Sequence, residues 1–365
     1  GVDKALVDKL AAEFAEELNN LGVRVSNLER NADMVKWNGK AEYTYWSHRD
    51  KDAHTKTNDD QLLFRLEPSA EVNSHWHVNA RLDASTDLAK DTAGDNHGDA
   101  QDSNVKLKRI WAQGEYGKFQ VKLGKFASLN DDSIADTPFS GAEVSYGKDV
   151  KVILGAGRLD IDDVAVPDKT RVIPGLRMLS KSIDKTANYQ YAGLEVTKGK
   201  LFGGAYWHHL NASNFNYKSV ESTLIPGYMV CDPAGYAKKD TDEFNTWMLK
   251  GAYTFSKNVG VNGFYAQNHD ADYYKKAGSV EVTYKGAQKE NRGTWGAWVA
   301  YRHLGVNAIV ASPWDVVGLN QKAWEVGGNY TIFKNVVGTL RYGHGKDLDD
   351  KNKVENLFGR VEFFF

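Results

Sequence analysis

The amino-acid pattern predicts an all-β fold: a 16-stranded antiparallel transmembrane β-barrel, preceded by a short N-terminal coiled-coil helix. Three observations lead there. From about residue 36 to the end of the chain, apolar and polar residues alternate with a period of two, so each strand has one apolar and one polar face. The alternating runs approach about ten residues, longer than the five or six usual in soluble sheets and suited to tilted strands in a bilayer. The polar stretches between them are alternately long and short, as in barrels with extended outer loops and tight turns on the other side.

Composition narrows the class. A mean hydropathy of −0.54, and no apolar run of spanning length, exclude a helical membrane protein. A barrel with a wet interior stays open, because half its strand residues face water. With 46 basic and 48 acidic residues there is no cationic excess for nucleic acid. The single cysteine, Cys231, permits no internal disulfide and no cysteine-based metal site. Gly1 is expected to be a processed or truncated start of an exported chain.

Residues 1–35 come first. Val7, Ala11, Phe14, Leu18, Leu21, Val25, Leu28, Ala32 and Val35 recur at alternating spacings of four and three, a heptad seam. With Val25 and Leu28 at the core positions, Arg24 and Glu29 flank the seam and pair between helices. Gly22 weakens the middle by about 1 kcal/mol relative to alanine. The hexapeptide Arg24–Glu29 resembles the short pattern of parallel trimeric coiled coils, which implies a trimeric stalk.

Residues 36–365 form the barrel. Val35, Trp37, Gly39, Ala41, Tyr43 and Tyr45 oppose Lys36, Asn38, Lys40, Glu42 and Thr44. Ser74, Trp76, Val78, Ala80 and Leu82 oppose His75, His77, Asn79, Arg81 and Asp83, and Trp324, Val326, Gly328, Tyr330 and Ile332 oppose Glu325, Asn329 and Thr331. Long connections fall near 50–58, 85–103, 126–138, 160–187, 210–241, 267–278, 304–320 and 343–353. Short ones fall near 67–73, 117–118, 147–149, 198–200, 256–258, 286–292 and 334–335. Sixteen strands follow, with both barrel ends on the short-turn side, so the stalk lies in the periplasm. In the last strand Leu357, Gly359, Val361, Phe363 and Phe365 oppose Asn356, Arg360, Glu362 and Phe364. This ending resembles the C-terminal assembly signal of bacterial outer-membrane proteins, a role that the resemblance gives to Val361, Phe363 and Phe365.

A barrel of this size encloses an aqueous channel. On strands two to five the polar-face candidates are Arg65, Arg81, Arg109 and Lys122, and the connection after the fifth strand carries Asp131, Asp132 and Asp136. If that connection folds inward, carboxylates face arginines and set up a transverse field in a narrow pore. If it does not, the carboxylates are solvated and the arginines pair locally. The residues alone leave both open.

Residues 36–365 resemble a trimeric general porin, in which the third outer loop enters the lumen. Leu123-Gly124-Lys125-Phe126 resembles the strand ending that leads into that loop. Pro138-Phe139-Ser140-Gly141 stands where enteric porins carry Pro-Glu-Phe-Gly-Gly, so the depth of insertion departs from that pattern. A heptad stalk feeding directly into a barrel is similar to the OmpM-type porins. In those, an N-terminal S-layer-homology domain grips peptidoglycan; that domain is not in this chain, and tethering is implied for a longer protein. The resemblance implies a homotrimer in the bacterial outer membrane, in contact with outer-membrane lipid and lipopolysaccharide, passing small hydrophilic solutes and ions.

Two rivals stand beside passive diffusion: a channel selective for sugars or anions, and a structural tether or adhesin with a closed barrel. No Walker loop, Gly-x-Ser-x-Gly elbow or Rossmann fingerprint points to an enzyme. No cofactor is expected. His75 and His77 share a strand face without a third ligand, and His208 and His209 point to opposite faces. The acidic runs Asp91/Asp95/Asp99, Asp160/Asp162/Asp163 and Asp347/Asp349/Asp350 offer oxygen ligands for Ca²⁺ but lack EF-hand spacing. Gly155-Ala156-Gly157 reads as close packing inside a strand.

Overall fold

The computed structural model describes residues 4, 7–10, 12–15, 17, 19, 21, 34–88, 105–127, 139–160, 186–212, 219–221, 229–231, 243–271, 274–310, 312–348 and 350–365. Described positions between Lys4 and Leu21 are helical, and the apolar side chains of Val7, Phe14 and Leu21 are exposed. Leu18, Arg24, Val25, Leu28 and Glu29 of the heptad seam lie outside the described residues.

The first barrel strands are β1 (Val35–Asp50), β2 (Thr55–Glu71), β3 (Trp76–Asp87), β4 (Lys106–Tyr116) and β5 (Phe119–Phe126). β6 (Phe139–Gly147), β7 (Val150–Asp160), β8 (Thr186–Lys198) and β9 (Leu201–Asn211) continue the wall. A small hairpin, β10 (Ser219–Glu221) with β11 (Met229–Cys231), stands in the next connection. The wall resumes with β12 (Glu243–Thr254), β13 (Val259–Asn268), β14 (Lys276–Lys285) and β15 (Trp295–Leu304). It ends with β16 (Gln321–Phe333), β17 (Val336–Asp347) and β18 (Lys353–Phe364).

Sixteen strands close into one barrel in which every neighbour is antiparallel, and β18 seals against β1 from Lys40↔Phe364 to Asp50↔Val354. Closure removes the sheet edges that a bilayer does not tolerate. The turns at 117–118, 199–200 and 334–335 are two residues long, with positive φ at Gly117, Gly199 and Asn335, as tight hairpins of twisted strands require. One expected turn moves: β2 runs on through 67–71, and the chain reverses at 72–75. Pro68 has no N–H to donate. The β2–β3 ladder accordingly lapses at Glu67 and Pro68 and resumes at Ser69↔Asn79.

The two faces separate as the alternation requires. Trp37, Leu123, Leu154, Leu249, Val282, Val299, Val326, Leu340, Phe363 and Phe365 are exposed on the outward face. Phe365 stacks on Phe64, ring centroids 5.8 Å apart. Gly155 is where close packing is needed, because a Cβ there would lie 2.1 Å from the Tyr191 ring.

Candidate functional site

The inward face is laced with charge. On β1 and β18, Lys40 Nζ lies 2.6 Å from both Glu42 and Glu362, and Arg360 bonds Thr44 Oγ1 at 2.9 Å and reaches Glu42 at 3.4 Å. On β2 and β3, Arg65 donates twice to Asp83, at 2.8 and 3.1 Å, and Arg81 donates to the same carboxylate at 2.9 Å. Lys122 on β5 stands 3.8 Å from Glu143 on β6, which also accepts from Tyr191 at 2.5 Å. One carboxylate thus serves two arginines on the β2–β3 wall.

A second cluster is built around Glu325 of β16, four strands round from β2 by way of β1, β18 and β17. Glu325 is fully buried, yet it holds three donors: Arg302 Nε at 3.0 Å, Trp298 Nε1 at 2.9 Å and Arg341 Nη1 at 3.4 Å. Arg302 is itself buried and also bonds Glu281 at 2.6 Å and Ser279 Oγ at 2.6 Å. A carboxylate in such a place is tolerable because its lone pairs are met by charged donors. Gly327 makes room, since a Cβ there would lie 2.2 Å from the Trp298 ring. Trp298 therefore lies flat on the wall with the Arg341 guanidinium over it at 4.9 Å.

The connection between β15 and β16 sits inside the barrel against this wall. Val306, Asn307, Ala308, Ile309, Val310, Val316 and Val317 are buried. Asn268 donates to the Asn307 carbonyl at 2.7 Å, and Asn356 to that of Val316 at 2.8 Å. Trp314 stacks on Phe264 at 5.5 Å with the rings 5° from parallel, and Arg302 covers it at 4.8 Å. Asp315 Oδ2 lies 3.5 Å from Arg341 Nε. Burial pushes the Asp315 carboxyl above the ordinary carboxylate range, and the nearby Arg341 and Arg360 only partly offset it. Glu281, Glu325 and Asp315 thus share two arginines. Two recesses flank Glu281. One of about 430 Å³ is lined by Lys289, Trp298, Asn329, Arg341, Glu362 and Phe364, and one of about 240 Å³ by Lys250, Asn262, Phe264, Arg302 and Trp314.

Of the residues the sequence nominates for the constriction, Arg65, Arg81, Arg109 and Lys122 share one arc of the wall, β2 to β5. Asp131, Asp132 and Asp136 lie outside the described residues. Sequence reasoning missed Arg302, Glu325, Arg341, Trp314 and Asp315. A signal existed: the stretch from Val306 to Val317 is too apolar for a solvated outer loop. Trp46 and Trp111, the early aromatics on the polar face, pack inside, Trp46 against Phe358 at 5.8 Å. His208 is buried and bonded to Tyr189 at 2.7 Å, whereas His209 bonds Asn245, also at 2.7 Å. Among the described residues no group of three His, Cys, Asp or Glu side chains is arranged to hold a metal.

A family model described as "Putative porin" matches residues 234–354. That stretch includes β12 to β17 and the inserted connection. No curated protein matches. Among solved structures, OmpT, an outer-membrane protein of Vibrio cholerae in its trimer form, aligns over 91% of this chain and 99% of its own, with 13% identity and a TM-score of 0.52. A triple mutant of the Rhodopseudomonas blastica porin aligns over 90% of this chain and 100% of its own, with 11% identity and a TM-score of 0.48. The likeness to OmpT is one of fold: the chain has a porin-like barrel.

Proposed function

We propose that this chain is a passive diffusion porin of a bacterial outer membrane, conducting small hydrophilic solutes and ions through a water-filled lumen. The observation that carries the reading is a closed sixteen-stranded barrel, apolar outside and charged inside, with a connection folded into the lumen. Solutes meet fixed charges on two parts of the wall, the Arg65–Asp83–Arg81 cluster and the Glu281–Arg302–Glu325–Arg341 cluster. Such a field orients dipolar solutes and disfavours apolar ones. No step requires covalent chemistry.

In this reading the connection carrying Asp131, Asp132 and Asp136 folds inward, and its carboxylates face Arg65, Arg81, Arg109 and Lys122. Changing all three aspartates to asparagine shifts the reversal potential in a salt gradient toward anion preference. An unchanged potential removes that connection from the pore lining.

The chain works as a homotrimer. Aromatic girdle residues supply support: near the long-connection end, Trp207, Trp247, Tyr265, Tyr301, Trp324 and Tyr342 mark β9, β12, β13, β15, β16 and β17. At the same level on β3 to β8 the outward positions are Leu82, Ile110, Leu123, Ala142, Ala156 and Ala192. Aromatics gather at lipid headgroups, so the arc without them is the side covered by neighbouring copies. Residues 1–35 are a periplasmic trimerising stalk, consistent with the exposed Val7, Phe14 and Leu21 on its helix. Val361, Phe363 and Phe365 serve as the barrel-assembly signal. A longer form of the protein would tether the outer membrane to peptidoglycan.

The recesses flanking Glu281 favour one second reading, a substrate-selective channel. Saturable, solute-blockable conductance in planar bilayers supports it, and linear conductance returns the diffusion reading. A correctly folded protein that leaves the bilayer silent overturns both.

A further inference from the structure

On the outward face near the long-connection end, the strand register sets basic residues directly beside one another. His303 of β15 pairs with Lys322 of β16, Lys322 with Lys346 of β17, and Lys346 with Lys353 of β18. Neighbouring strands are about 4.8 Å apart, so the row is continuous along the hydrogen-bonding direction. Like charges facing each other across strands destabilise a sheet. Among the described residues no acidic side chain forms an ion pair with this row; Asp52 Oδ2 accepts the Lys353 backbone N–H at 2.7 Å. Asp347 turns inward to Gln321 at 2.9 Å, and Glu355 is held by Lys51 at 2.5 Å and His344 at 3.4 Å. Among the described residues, Lys322, Lys346 and Lys353 form no ion pair. Lys346 and Lys353 are exposed.

The depth of the row identifies its counter-charge. Two residues closer to the barrel middle on the same strands stand Tyr301 and Trp324, exposed, with ring centroids 5.1 Å apart. Exposed aromatic pairs of this kind mark the boundary between acyl chains and headgroups. The lysine row therefore lies at headgroup level, where anionic groups of lipids attract basic side chains. We propose that Lys322, Lys346 and Lys353, with His303 at their flank, form a docking site for the phosphate groups of a phosphorylated outer-leaflet glycolipid. The inference rests on reading the chain as an outer-membrane barrel, and the spacing of the lysines suits a headgroup bearing more than one phosphate.

The test uses the full chain in neutral detergent, titrated with bisphosphorylated lipid A, with the same lipid lacking its phosphates, and with inorganic phosphate. Unfolding temperature and lipid retained on gel filtration are recorded for wild type and for the Lys322→Gln/Lys346→Gln/Lys353→Gln variant. The expected result has two parts. Without lipid the variant melts above wild type, because the repulsion is gone. Bisphosphorylated lipid A raises the wild-type temperature, and binding weakens about five-fold for each lysine removed, from roughly 1 kcal/mol per basic residue at an anionic lipid surface. The corresponding Lys→Arg variant keeps the effect. Equal stabilisation of wild type and variant, or the same effect from dephosphorylated lipid or inorganic phosphate, overturns the proposal. Conductance of the same preparations separates it from the porin reading. A silent channel that retains phosphate-dependent stabilisation sinks the porin and leaves the lipid site standing.

Discussion

Glu325→Gln is the sharpest probe of the lumen. The substitution keeps shape and removes one charge. Glu325 uses one oxygen for Arg302 and the other for Trp298 and Arg341. A glutamine keeps one acceptor and turns an amide NH₂ toward donors on the other side, so donor faces donor whichever way it lies. Bonds to charged groups contribute about 1.5–3 kcal/mol each, and breaking a buried pair costs about 3–5 kcal/mol when the surviving charge is orphaned. Neither arginine is orphaned, because Arg302 keeps Glu281 at 2.6 Å and Arg341 keeps Asp315 at 3.5 Å. The expected loss is therefore about 3 kcal/mol, at the lower end of that range. Urea unfolding of the barrel refolded in lipid vesicles, followed by tryptophan fluorescence, measures it. The lumen also gains one positive charge, so the reversal potential moves toward anions. A stability loss below about 1 kcal/mol, with selectivity unchanged, would refute the account of Glu325 as the bridge of this wall.

Two further outcomes follow from the inserted connection. Deleting 308–317 is expected to raise single-channel conductance, since those residues occupy lumen volume; unaltered conductance counts against their place inside. The other concerns pH. Because burial raises the Asp315 carboxyl, it takes up its proton in the folded chain at a higher pH than in the unfolded one. Its contribution to stability therefore grows as pH falls from above the folded value to below the unfolded value. The same protonation removes a negative charge facing Arg341, Arg360, Glu325 and Glu42. Cation preference should drop on acidification at a pH above the ordinary carboxylate range, and Asp315→Asn should abolish that step; a step that survives the substitution assigns it elsewhere.

The barrel was legible in the chain because alternation and connection length are local quantities. A strand such as β18 must put Leu357 and Phe363 on one side and Arg360 and Glu362 on the other, whatever its neighbours do. The alternation of long and short connections then decides strand count and places both barrel ends on the short-turn side. That Arg65 and Arg81 stand on the polar face of their strands was legible for the same reason. Their shared partner Asp83 was not singled out, because the β2–β3 register that sets Arg65 opposite Asp83 is a property of the paired strands. The same holds for the row from His303 to Lys353, four residues on consecutive strands that the pairing register brings side by side. The inserted connection shows the division most clearly. Residues 306–317 carry an apolar content that forbids a solvated loop. Where they bury it depended on Phe264, Arg302, Arg341 and Asn356, drawn from four strands. Period and composition determine which face of a residue meets water. Which charges share a lumen is decided by the tertiary fold, because opposing walls of a closed barrel are joined through space and not along the chain.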